Sequence, residues 1–202
     1  MPWSLARKRE AWAEHRTLNR RRLRDRARER RARIKLELFT KLGGKCVDCG
    51  HGRVTSLHVD HIDSSRKQRP AGHHTYLALL KQLGKVKIEL RCANCNLKKA
   101  RERGEGPGLR HIELKRLAIA AYGGGCDRCG ESDEDVLCFD HINGGGTELR
   151  RTGSHSHGGG YTMMRVLVTS RPKDRRLLCA NCNYDIHFGD VAKVAAQGRR
   201  AP

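Results

Sequence analysis

The sequence is poor in the material from which a large apolar core is built. Of its 202 residues only 4% are aromatic and 37% hydrophobic, so something other than burial must help to hold the fold. It has no run of about 18 apolar residues and no secretory h-region, which speaks against a membrane role and gives the expectation of a soluble, intracellular protein. Acidic residues are also scarce: 22 Asp plus Glu stand against 42 Lys plus Arg, a formal net charge of +20. A chain so charged repels itself unless a polyanion accompanies it, and nucleic acid, double-stranded DNA first, is the expected partner.

What the sequence has in excess is cysteine. Nine occur, and in a reducing compartment a disulfide framework is not expected. Eight fall into four Cys-x-x-Cys pairs: Cys46/Cys49, Cys92/Cys95, Cys126/Cys129 and Cys179/Cys182. Four such knuckles are the arithmetic of two tetrahedral thiolate sites, each holding a structural zinc ion. A redox Cys-x-x-Cys is expected once, beside a βαβ pattern. Cys138 remains unpaired between Leu137 and Phe139 and reads as a small core hydrophobe.

The pentapeptide CANCN occurs twice, at Cys92 to Asn96 and at Cys179 to Asn183. Cys46 and Cys126 stand 80 positions apart, as do His61 and His141, whereas Cys92 and Cys179 stand 87 apart. The chain is therefore an internal repeat whose second copy carries seven extra residues between its histidine and its last knuckle. This divides it into a basic arm or helix (1–36), a first zinc lobe (37–104), a second zinc lobe (105–192) and a tail (193–202). Each copy opens on a short amphipathic helix, "IKLELFTKLGG" or "IELKRLAIAAYGG", ended by glycine in the left-handed conformation. A knuckle follows, then a strand-like run, "SLHVDHID" or "VLCFDHIN". A polar loop and a second helical stretch lead to "LRCANCN" or "LLCANCN".

The joint order of "CVDCG", "VDHID" and "LRCANCNLKKA", repeated as "CDRCG", "FDHINGGG" and "LLCANCNYDIHFG", resembles the HNH, or His-Me finger, endonucleases with a structural zinc. The resemblance covers roughly residues 43 to 100 and 123 to 189. It implies a small, zinc-stabilised α+β fold of two tandem ββα-metal lobes, and metal-dependent hydrolysis of DNA phosphodiester bonds. On this pattern His61 and His141 match the general base. Asp60 and Asp140 match the carboxylate that holds a catalytic divalent cation, Mg2+ or another, and Asn96 and Asn183 match a second ligand on the helix. His187, four residues after Asn183, matches a further ligand, whereas the first copy has Ala100 there and "CNLKK" resembles the family variant ending in lysine. The glycine-rich "GGGTELRRTG" resembles the family's DNA-facing loop, with Arg150 and Arg151 as phosphate contacts.

These residue types suit the chemistry. An imidazole with an ordinary pKa of about 6.5 can accept a proton at neutral pH, and a hard cation on oxygen ligands neutralises the charge that builds on phosphate. Consecutive Asp and His in a strand point to opposite faces, so they can converge on one phosphate only where the strand ends or is distorted. Asn96 and Asn183 also suit helix capping. His73, His74 and "GSHSHGGG" at 153–160 read as exposed loops rather than metal sites.

Residues 1 to 36 hold 14 Lys plus Arg against 4 Asp plus Glu. Arg20, Arg21, Arg22, Arg24, Arg28 and Arg31 are the expected DNA contacts, supplying affinity rather than sequence information. A metal-dependent DNA endonuclease is the expected function. A non-catalytic zinc module that binds nucleic acid, as a regulator, an assembly factor or an RNA-binding protein, would keep the same cysteines and charge.

Overall fold

The computed structural model describes residues 4–62, 76–105, 108–144 and 160–189. Arg150, Arg151, His73, His74, positions 153–159 and the tail lie outside the described residues. The chain divides into two compact units. The described residues of the first are 4–43 and 76–87, and those of the second are 44–62, 88–105, 108–144 and 160–189.

In the first unit the basic arm and the amphipathic helix are one element, α1 (Leu5–Lys41), capped by Ser4, whose Oγ accepts the Arg7 N–H at 3.3 Å. Its apolar residues Leu5, Trp12, Leu18 and Leu23 are all more than half exposed. Burial begins only at Ala32, with Lys35, Leu38 and Phe39 on the same face. Phe39 meets Tyr76 of α2 (Tyr76–Lys81) edge to face, with ring centroids 5.9 Å apart. Lys35 Nζ lies 4.9 Å from the Phe39 ring centre, and burial pulls its pKa down to about 8. Because an unfolded lysine titrates higher, this group opposes folding fully below pH 8, and that penalty fades as the pH rises from there. Helix α1 stops at Leu42, and Gly43 follows with φ of 90°, which is the expected glycine stop.

The second unit is α+β and holds both copies of the zinc motif. Strands β1 (Leu57–His61) and β2 (Ile88–Cys92) pair antiparallel, from Leu57 opposite Cys92 to His61 opposite Ile88. Helix α3 (Ala93–Glu102) follows β2 directly. In the second copy α4 (Leu109–Ala121) precedes β3 (Leu137–His141), and α5 (Gly160–Thr169) precedes β4 (Arg175–Cys179) and α6 (Ala180–His187). There Leu137 pairs with Cys179 and His141 with Arg175. The repeat is literal at the backbone: Ala93 N–H donates to Ser56 O and Ala180 N–H to Val136 O, both at 2.9 Å.

Among the described residues of the second copy the core is built from two small clusters. Ile119, Val136, Leu137, Leu177 and Leu178 pack with Cys126, Cys179 and Cys182. A second cluster joins Ala118 of α4 to Met164 and Leu167 of α5. Three of the four thiols of the second knuckle set are thus part of the core itself, which ties the second copy's fold to whatever those thiols bind.

The doubled pentapeptide has a structural reason that lies between the copies. The first N–H groups of a helix have no partner within it. Asn94 N–H donates to Asn181 Oδ1 at 3.1 Å, and Asn181 N–H donates to Asn94 Oδ1 at 2.9 Å. Helices α3 and α6 therefore cap one another across a local two-fold relation, both asparagines being buried. Replacing Asn94 or Asn181 by Ala should cost about 1–3 kcal/mol each, since an N–H is left buried without an acceptor. Urea unfolding of zinc-loaded protein measures this, and two unchanged midpoints would refute it.

Candidate functional site

Each set of four cysteines is assembled by the same local chemistry. The first knuckle turns on a glycine, Gly50 with φ of 71° or Gly130 with φ of 77°, and the backbone N–H of Cys46 or Cys126 closes the turn onto residue 51 or 131. The second knuckle ends a strand and opens a helix. Cys92 and Cys179 are the N-cap residues of α3 and α6, their sulfurs accepting the N–H of Cys95 and Cys182. Capping thus falls to the cysteines, and Asn96 and Asn183 lie inside the helices rather than at their caps.

All nine cysteines are free. The donor atoms of Cys46, Cys49, Cys92 and Cys95 lie within 4.8 Å of one another, as do those of Cys126, Cys129, Cys179 and Cys182. The Cys49 and Cys92 sulfurs are 3.7 Å apart, and so are those of Cys129 and Cys179. A disulfide needs about 2.05 Å, whereas a tetrahedron with zinc–sulfur bonds of about 2.3 Å has edges of about 3.8 Å. Each group can therefore hold a structural zinc ion. Electrostatics agree: burial raises the Cys46 and Cys126 thiols, but backbone N–H groups more than offset it and bring both down to about 7. Burial and the neighbouring sulfurs push Cys95 and Cys182 far up. Four thiolates cannot gather here without a cation among them.

The Asp-His pairs stand at the last two positions of β1 and of β3, which meets the geometric demand that the strand end there. Their surroundings differ. Asp60 Oδ2 accepts Arg91 Nε at 2.9 Å and also carries the ammonium of Lys99. Arg91 in turn binds Glu89, with Nη2 2.6 Å from Oε1, and Asp48, with Nη1 2.5 Å from Oδ2. These carboxylates of the first copy thus each have an oxygen on a protein cation, and Asn96 is exposed.

In the second copy Arg176 takes the position of Glu89, and Leu178 that of Arg91. Asp140 is buried, with Oδ2 accepting Arg176 Nε at 2.9 Å and Nη2 at 2.6 Å. Its other oxygen, Oδ1, lies 2.8 Å from His187 Nε2. The ring nitrogen Nε2 of His141 is buried and has no hydrogen-bond partner among the described residues. Asn183 Nδ2 donates to Cys138 Sγ at 3.1 Å, so Cys138 is a hydrogen-bond acceptor as well as a packed thiol. Burial raises its pKa. The structure brings His187 onto Asp140 and gives His141 no hydrogen bond with either, and nothing in the sequence signalled Arg176 or the Asn183–Cys138 contact. The "CNLKK" ending marks Lys99, but not that it lies on Asp60.

Along α1, Arg20, Arg24, Arg28 and Arg31 follow helical spacing on one exposed side. Like charges so spaced oppose the helix, and a polyanion along them relieves the opposition. Arg21 and Arg22 are exposed beside them. Among the described residues no helix is long and apolar enough to cross a membrane. No family model, no curated protein and no solved structure matches the chain.

Proposed function

We propose that the protein is a metal-dependent DNA endonuclease whose chemistry resides in the second copy, with the first copy and the α1 arm serving structure and grip. The observation that carries this reading is the asymmetry at the strand ends. Asp140 Oδ1 and His187 Nε2 stand side by side, a carboxylate oxygen and an imidazole nitrogen 2.8 Å apart, whereas Asp60 Oδ2 is held by Lys99 and Arg91. The donor set of Asp140 and His187 suits a divalent cation, and the first copy, with Ala100 in the place of His187, lacks the second donor. When bound there, the cation supplies positive charge against the phosphate oxygens and the leaving group.

The remaining steps belong to the chain. His141 accepts the proton of a water molecule as its oxygen forms a bond to phosphorus, and the bond from phosphorus to the leaving oxygen breaks. Its ring nitrogen Nε2 is buried without a partner among the described residues, and such a group is costly to bury for no purpose. Arg176 holds the Asp140 carboxylate in place. The α1 arginines bind backbone phosphates irrespective of sequence.

Supercoiled plasmid treated with purified protein tests the proposal: nicked or linear product with Mg2+ or Mn2+, and none with a chelator, is the expected result. A second reading, a nucleic-acid binder without catalysis, is favoured by Arg176, whose two bonds to Asp140 satisfy much of that carboxylate's charge. It requires retarded plasmid and no cutting with either metal. Under both readings, removing residues 1–31 spares the buried face of α1. It should weaken DNA binding and lower the salt slope by about 0.9 for each phosphate that the arm no longer neutralises. An unchanged slope in filter binding would give the arm another task.

A further inference from the structure

The surface on which the two copies meet carries a charge pattern that goes beyond the reciprocal asparagines. In the second unit Arg53 Nη1 lies 2.6 Å from Asp185 Oδ2, and Thr55 donates to the same carboxylate. On the other side of the local two-fold relation, Lys98 Nζ lies 2.7 Å from Asp133 Oδ2. The repeat offsets make these the same pair of positions. Position 53 of the first copy corresponds to 133 of the second at the offset of 80, and position 98 corresponds to 185 at the offset of 87. The two symmetry-related ion pairs therefore have opposite polarity, with both cations in the first copy and both anions in the second. A third bridge, Arg101 Nε to Asp135 Oδ1 at 3.2 Å, runs in the same sense.

A two-fold interface built from identical halves would have to be self-complementary. This one is not. A first copy set against another first copy brings Arg53 to Lys98, and a second against another second brings Asp133 to Asp185. Only the unlike pairing places opposite charges at both positions, and Asp185, whose side chain is 9% exposed, would be desolvated beside a like charge in the wrong one. We infer that the interface is a pairing code: each copy accepts the other as its partner and rejects itself, so that the tandem chain forms one internal pseudo-dimer and does not assemble through like copies.

The test uses the full, zinc-loaded chain in three forms. One carries Arg53→Asp and Lys98→Asp, making its first copy acidic like its second. Another carries Asp133→Arg and Asp185→Lys, making both copies basic. Each alone places like charges at both positions, and each should unfold at lower temperature than the parent and stay a single chain. Mixed together, they offer an acidic first copy to a basic second and a native first copy to a native second, and should elute as a one-to-one two-chain complex by light scattering. The third form combines all four changes in one chain, reverses both pairs, and should regain the parent's melting temperature and monomeric state. The quadruple form keeps the test decisive should either double variant fold poorly. The code is overturned if the quadruple variant is no more stable than either double, or if both doubles melt like the parent and their mixture stays single-chain.

Discussion

Freshly reduced protein should hold two zinc ions per chain, and stripping them should unfold the second unit. The expectation follows from how little else there is to hold it. The cluster of buried side chains around the second copy's knuckles has eight members, three of them zinc-knuckle cysteines, and each hairpin has only two strands, which is marginal in water by itself. An apparent binding free energy of about 10–16 kcal/mol for a structural zinc exceeds the whole stability of most small domains. The double variant Cys92→Ser, Cys95→Ser should lose one zinc and the structure of the first hairpin. Its effect should also reach the second copy, because α3 supplies half of the cap of α6 through Asn94. Elemental analysis and circular dichroism before and after chelation read both outcomes. One zinc or none in reduced protein, or an unaltered spectrum after chelation, would refute the assignment.

What could be read from the sequence is what depends on spacing along the chain. Cys-x-x-Cys fixes two ligands on one turn whatever surrounds them, so both thiolate groups were legible, and with them the two hairpins, whose strands must end at the knuckles. The glycine stops at Gly43 and Gly123 were legible for the same reason, since a backbone with positive φ selects its residue. What was not legible depends on which surfaces meet. Asn94 and Asn181 sit between two cysteines and look like filler, and their role appears only when α3 faces α6. Arg53 and Asp185, or Lys98 and Asp133, are ordinary surface charges until the two copies are superposed on their offsets. Lys99 stands out only as the end of "CNLKK", and its partner appears only when it is found on Asp60. Local chemistry is written in local pattern, and the interface between copies is written in differences between them.

That same contrast decides the expected result of mutating the two histidines. His141→Ala should lower plasmid cleavage by about 10²–10⁴-fold, the loss usual for a general base, and leave DNA affinity within about twofold, since one imidazole adds little to binding dominated by cationic side chains. His61→Ala should leave cutting intact. Both copies have an Asp-His pair at a strand end, and from the motif alone each could cut one strand, in which case His61→Ala would turn a double-strand cutter into a nickase. The surroundings argue otherwise: Asp60 is held by Lys99 and Arg91, and no counterpart of His187 stands beside it, whereas Asp140 has His187 at 2.8 Å. His187→Ala should therefore raise the concentration of Mn2+ needed for half-maximal cutting, a change that loss of a base alone would not produce. Nicked and linear forms resolved on a gel, for each single variant and for His61→Ala with His141→Ala, separate the cases. Accumulation of nicked plasmid by His61→Ala would return the first copy to catalysis, and cutting at the parental rate by the double variant would remove both histidines from the chemistry.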